Sequence, residues 1–298
     1  MTRNLSQLFA AEPRPVWVFD GGIGTLLQHR GLKVGECPEE LNVSHPEILL
    51  EIHREYVAAG SDIIQTNTFG GNTRRLSNYG LESKTVAINT RAVELARQAA
   101  GDKAYVAASV GPTGEILEPY GNVSREAVFE AFQTQARGLG EADLVNIETM
   151  NCLDEALLAF EAIRSVLGLP ICVSVTFNQA PTGYFTIMGE SVERITRALT
   201  EAGVNMLGSN CGEGVEQMLA IISEMHRLTS LPLMAKPNAG LPQLTGGREV
   251  FPETPESFAQ KMRAVMAAGA TLCGGCCGTT PDHIRVIRQL ADELNASP

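Results

Sequence analysis

The chain has 298 residues, 44% of them hydrophobic, enough to bury a large core as one domain. Its formal net charge of −11 excludes the basic surface that non-specific nucleic-acid binding requires. No apolar stretch approaches the ~20 residues that span a membrane, and Met1–Ser6 do not open a secretory signal, because no long apolar core follows them.

Short apolar runs alternate with longer amphipathic ones along the chain. A strand-like run at 16–20 precedes a helical pattern at 46–59. The pairs that follow are 62–67 with 86–100, 105–110 with 124–139, 144–149 with 152–167 and 171–177 with 191–201. The last three are 206–210 with 214–228, 233–236 with 255–268 and 271–276 with 281–290. Gly60, Gly101, Gly168, Gly203 and Gly269 close helices just before the next strand, the usual helix stop. Eight strand–helix units predict an α/β fold, a single-domain (β/α)8 TIM barrel over 1–298. Its strands fall within about 16–276 and its final helix at about 281–292. A doubly wound sheet is the competing arrangement, and Asp20-Gly21-Gly22-Ile23-Gly24-Thr25 offers it a glycine-rich loop. The second strand, however, ends Gln65-Thr66-Asn67-Thr68, without the acidic residue that nucleotide binding pairs with such a loop.

The seven cysteines are an odd number in a long chain, which argues against a secreted disulfide scaffold and for a reducing cytoplasm. Cys172 and Cys273 lie in strand-like runs and read as core thiols. Cys37 and Cys152 have no partner at metal spacing. Cys276 and Cys277 are adjacent between glycines, a poor core choice and a poor disulfide. Cys211 follows Asn210 at the end of another strand. In a barrel these positions are the ends of strands six and eight, separated by one strand and leaning over the same mouth. Three thiolates with no histidine to close the set predict a zinc site with an open fourth position. Such a centre suits binding and activating a further thiol, so alkyl transfer to sulfur is the expected chemistry.

The other strand ends supply the rest of the mouth. Asp20 and Glu148 end strands one and four; as rim residues they could cap helices or form ion pairs, and as site residues they could hold an ammonium group. The amides of Gly21 and Gly22 could take a carboxylate. Asn67 and Ser109, at the ends of strands two and three, complete the expected substrate-binding set. Together these describe a pocket for an amino acid bearing a thiol.

These residues resemble the zinc-dependent homocysteine S-methyltransferases. The likeness rests on Asp20–Thr25, Asp62–Phe69, Val110-Gly111-Pro112, Ile147-Glu148-Thr149, Asn210-Cys211, Pro237-Asn238-Ala239-Gly240 and Gly274–Pro281, and it covers nearly the whole length. The resemblance implies zinc on Cys211, Cys276 and Cys277, the sulfur of L-homocysteine as fourth ligand, Asp20 and Glu148 at its amine, and the Gly21–Gly22 backbone at its carboxylate. The product would be methionine. The Ile147–Thr149 and Lys236–Pro242 stretches look most like the homocysteine module of cobalamin-dependent methionine synthase, whose donor is methylcobalamin on another domain. Gln65, where that module usually carries Glu, and the loop around Cys211 depart from it. Folate and corrinoid domains are not in this sequence, so either the donor is expected on a separate corrinoid protein or the chain is a piece of a larger one. Three alternatives stay open: a thiol-binding subunit inert without its corrinoid partner, a betaine or S-methylmethionine donor, and a different thiol acceptor. Betaine would call for an aromatic cage. With one Trp and five Tyr the composition leans away from it, although Tyr120 and Tyr184 lie in loops that could cover the mouth. Trp17 reads as core.

Overall fold

Alternation along each strand decides which side chains enter the barrel and which meet the helices. The computed structural model describes Leu5 and residues 14–245 and 248–296. Among these, the strands are β1 (Trp17–Val18), β2 (Ile63–Gln65), β3 (Tyr105–Val110) and β4 (Leu144–Met150). They continue as β5 (Ile171–Val175), β6 (Met206–Cys211), β7 (Leu233–Pro237) and β8 (Ala270–Cys273). The eight form one sheet in the order β1-β8-β7-β6-β5-β4-β3-β2, with parallel pairing throughout. A parallel bridge between Phe19 and Ile63 closes it, and Asp62 N donates to Val18 O at 2.7 Å on the same seam. The long helices α1 (Pro46–Ala58), α2 (Thr85–Ala100), α3 (Arg125–Ala136) and α4 (Leu153–Arg164) follow β1 to β4. Helices α5 (Val192–Ala202), α6 (Val215–His226), α7 (Pro255–Ala267) and α8 (Pro281–Ala296) follow β5 to β8. The fold is the expected (β/α)8 barrel.

Local chemistry sets the helix starts. Ser124, Ser191 and Thr254 sit at N-caps in extended conformation and accept from the amides of Ala127, Arg194 and Ser257, three residues on. The boundaries differ from the sequence expectation in two ways. The expected strand 62–67 pairs only over Ile63–Gln65, and beyond it a side chain takes over the tie to β3: Thr68 Oγ1 donates to Ser109 O at 2.6 Å. Two hairpins, Asn178–Ala180 with Gly183–Phe185 and Gln243–Thr245 with Arg248–Val250, grow from the ends of β5 and β7 where loops were expected.

The core has two layers. Val18, Ile64, Val106, Ala108, Val145, Val173 and Leu207 point outward and pack with the apolar faces of the helices. Their neighbours Trp17, Ile63, Ala107, Leu144, Cys172, Met206, Met234 and Leu272 make a separate cluster inside the barrel. Trp17, Cys172 and Cys273 are fully buried, as expected of core residues. Two residues further along the inward rows, the side chains turn polar: Gln65, Ser109, Asn146, Ser174 and Lys236 are all buried. An apolar floor therefore carries a polar layer at the C-terminal end. Among the described residues, no helix is long and apolar enough to cross a membrane.

Candidate active site

The polar layer and the loops above it enclose a cavity of about 300 Å³. Gly21, Gly22, Asn67, Ser109, Glu148, Cys211, Cys276 and Cys277 line it, together with Gln65, Thr149 and Lys236. Asp20 does not; it is fully buried one layer back.

The sulfur side is built by backbone. Beyond β8 the chain keeps following β7: Gly274 N donates to Ala235 O at 3.1 Å and Cys276 N to Pro237 O at 2.9 Å. Cys277 N then donates to the Asn238 side chain at 3.0 Å. Gly275 is required here, since a Cβ would lie 2.3 Å from Thr279 Oγ1. Cys211, the last residue of β6, has φ +61°, and Thr149, near the end of β4, has φ +60°. Both conformations are unusual for residues with a Cβ, and most so for a β-branched one. Asn210 holds the two together. Its Oδ1 accepts from Thr149 N at 2.8 Å and from Ser174 Oγ at 2.6 Å, and its Nδ2 donates to Thr149 Oγ1 at 2.7 Å and faces Cys211 Sγ at 3.5 Å.

The sulfurs of Cys211, Cys276 and Cys277 lie within 4.8 Å of one another and could hold a metal ion. The Cys211–Cys276 separation is 2.8 Å, longer than a disulfide, and none of the three cysteines is in a disulfide. The Cys211 hydrogen bond lowers the Cys276 thiol, but the Cys277 contact, burial and the Cys277 charge outweigh it and leave Cys276 at about 12. Contacts with Cys276 and Cys277, then burial, push Cys211 well above the ordinary thiol range. Cys211 and Cys276 thus keep their protons unless a cation shares them, and loading such a set releases protons.

The charged side is built by strand alternation. Asp20 Oδ2 accepts from Gln65 N at 2.7 Å, and Lys236 Nζ donates to Asp20 Oδ1 at 3.2 Å. Lys236 also donates to Gln65 Oε1. Gln65 Nε2 passes the chain on to Glu148 Oε1 at 2.6 Å, and Ser109 Oγ donates to the same oxygen at 2.5 Å. Burial pushes the Glu148 carboxyl up to about 7, against the opposing pull of Lys236. Burial likewise raises Asp20, again opposed by Lys236. For Lys236 burial acts downward, but the combined charges of Asp20, Glu148 and Cys276 outweigh it and hold the ammonium above its usual range. Lys236 is therefore the cation of this cluster.

The remaining expected residues have definite places. A Cβ on Gly22 would meet Cys276 O at 2.6 Å, and Gly22 N already donates to Thr279 Oγ1 at 3.1 Å. The Asn67 amide reaches Pro38 O at 2.7 Å and Asn42 Oδ1 at 3.2 Å, pinning the segment that walls the cavity. Neither of the tyrosines that could have covered the mouth lines the cavity: Tyr120 is exposed, Tyr184 packs in the hairpin after β5, and among the described residues Phe69 is the aromatic side chain of the wall. Sequence reasoning gave no role to Lys236, Gln65, Thr149 or Asn210. Lys236 and Asn210 carried a signal, polar residues at strand ends, but nothing in the sequence pairs Lys236 with Asp20.

A family model described as homocysteine S-methyltransferase matches residues 17–291. Methionine synthase from Mycobacterium leprae is 34% identical over 300 residues, covering 94% of this chain and 24% of that protein. Methionine synthase from Mycobacterium tuberculosis is 32% identical over 292 residues, again covering 24% of its length. The chain thus spans about a quarter of these curated relatives. Among solved structures, the metallated form of the homocysteine methyltransferase MmuM from Escherichia coli matches with a TM-score of 0.78 at 26% identity, over 93% of this chain and 97% of that one.

Proposed function

The chain belongs to the homocysteine S-methyltransferase family, and from that premise we propose that it transfers a methyl group to the sulfur of L-homocysteine, with zinc on Cys211, Cys276 and Cys277. The observation that carries this reading is the cluster of three sulfurs within 4.8 Å on the wall of the cavity that also holds Glu148. The donor set fits the metal in its chemistry: three soft sulfur donors, with no fourth His, Cys, Asp or Glu grouped with them among the described residues, would suit zinc with an open position. Three protein ligands would leave one position for substrate. Zinc, when bound, would supply the positive charge that keeps an incoming thiol deprotonated at neutral pH.

The chain's own residues orient the substrate. Asp20 and Glu148 as carboxylates, with Lys236 as ammonium, leave one negative charge, which matches one substrate ammonium. Glu148 offers it from the cavity wall, and Ser109 and Gln65 hold that carboxylate in place. Gly21 and Gly22 lie where a close backbone can meet the substrate carboxylate, Gly22 sharing its amide with Thr279. Asn210 and Thr149 position Cys211. The sulfur then attacks the methyl carbon in line. The new S–C bond forms as the donor leaves with the electrons of the old one, and the thiol proton has already gone to solvent. No general base is needed at carbon.

A methylcorrinoid, carried on another domain or another protein, is the donor this reading favours. The curated relatives are methionine synthases about four times as long as the chain. Among the described residues Phe69 is the one aromatic side chain of the wall, which disfavours a cage for a quaternary ammonium. Ile116, Tyr120, Ile187, Met188 and Leu241 are exposed on loops after β3, β5 and β7, at the same end as the cavity, where a partner could cover them. The same facts favour a second reading, a thiol-binding subunit inert until its corrinoid partner is added. The test is methionine formation by zinc-loaded chain and homocysteine with methylcobalamin, betaine and S-methylmethionine, and then with a methylated corrinoid protein. Turnover with methylcobalamin supports the first reading, and turnover with the corrinoid protein alone supports the second. No methionine from any donor rejects both.

A further inference from the structure

A buried site discriminates by what it leaves unpaired. A pocket built to hydrogen-bond one substrate group rejects the analogue lacking it by a large factor, because the pocket's own polar atoms are then stranded. The carboxylates of this site are not arranged that way. Asp20 is fully buried and already has two donors, Gln65 N at 2.7 Å and Lys236 Nζ at 3.2 Å. Glu148 has two more, Gln65 Nε2 at 2.6 Å and Ser109 Oγ at 2.5 Å. Lys236 is itself only 2% exposed, yet it lines the cavity while Asp20 behind it does not. A tethered ammonium of the protein thus sits where sequence reasoning expects the ammonium of the substrate.

We propose that Lys236 is a specificity-determining residue whose ammonium fills part of the amine pocket, so that the enzyme also methylates short thiol carboxylates that lack an α-ammonium. This inference rests on the proposed methyl transfer and concerns the breadth of its acceptor. The chemistry is unchanged: the thiol loses its proton to solvent, its sulfur forms a bond to the methyl carbon of a methylated corrinoid, and the carbon–cobalt electron pair stays with cobalt. The product is a methylthio carboxylate. Homocysteine remains a substrate because its ammonium can still approach Glu148. Its absence costs little because each carboxylate already has two donors from the protein, on Glu148 both at Oε1.

The test compares L-homocysteine with 4-mercaptobutanoate, which is homocysteine without its amine. Dissociation constants come from calorimetry on zinc-loaded protein without donor, and kcat/KM from methylcobalamin or the methylated corrinoid protein. Wild type is expected to prefer homocysteine by less than about tenfold in both. Lys236→Met strands Asp20 and is expected to raise that preference at least about tenfold, mainly through KM. If Lys236→Met does not fold, the wild-type ratio still decides. Homocysteine binding and turnover with a preference above about tenfold overturns the inference and leaves the proposed function standing. An unchanged preference in folded Lys236→Met also overturns it. If neither thiol binds or turns over, both the inference and the function it rests on fall.

Discussion

The two sides of the cavity are made by different means. The sulfur side, at the ends of β6 and β8, is a backbone construction: a glycine-flanked turn that keeps tracking β7, and a left-handed Cys211 tied down through Asn210. The charged side is a side-chain construction, in which Asp20, Gln65, Ser109, Glu148 and Lys236 come from five strands and meet only because the barrel closes. Geometry on the first side depends on a few neighbouring residues. On the second, every member needs every other, since each is buried and charged or polar.

This contrast can be broken most sharply at the sulfurs. Cys276→Ser is expected to lose zinc and methyl transfer together, by about a thousandfold or more, while the circular dichroism of the barrel stays intact. Metal content by mass spectrometry and a turnover assay check it, and full activity in metal-free variant protein would sink the metal reading. On the charged side the damage goes to stability instead. Asp20→Asn leaves Lys236 as a buried cation without its counter-ion and is expected to cost about 3–5 kcal/mol in urea unfolding. The double change Asp20→Asn with Lys236→Met is expected to recover much of that loss, and additive losses would show that the pair is not coupled.

A smaller effect is expected at the joint between the two sides. Asn210→Ala frees Thr149 and Cys211 from their shared clamp and should weaken zinc binding about 10–100-fold with the fold retained, as measured by competition with a chelator. The smallest expected effect is a slope with pH. The Glu148 carboxyl is pushed from 4.5 up to about 7, mainly by burial. The folded protein therefore holds that proton more tightly than the unfolded chain. Its contribution to stability is complete below about 4.5 and is lost as pH rises through about 7. Unfolding of metal-free protein at about pH 5 and about pH 8 should show the loss, and Glu148→Gln should flatten it. In the same window homocysteine should bind more tightly as pH rises, because the ionised carboxylate is the form that meets an ammonium.

Much of this molecule could be read without coordinates. Eight alternations of short apolar runs with amphipathic helical pattern gave the barrel, and Gly274–Thr280 with Asn210-Cys211 gave the sulfur side, because those signals are local and short turns have few solutions. The hairpins after β5 and β7 did not show, since three-residue strands carry too little pattern. Thr149 offered no hint of its left-handed backbone, which Asn210 imposes from another strand.

Residue order by itself determined the strand and helix succession, the three cysteines proposed to hold a metal and the family. Tertiary structure alone decided that Lys236 belongs to Asp20. They stand 216 positions apart, and their pairing exists only because barrel closure buries both where water cannot solvate either charge.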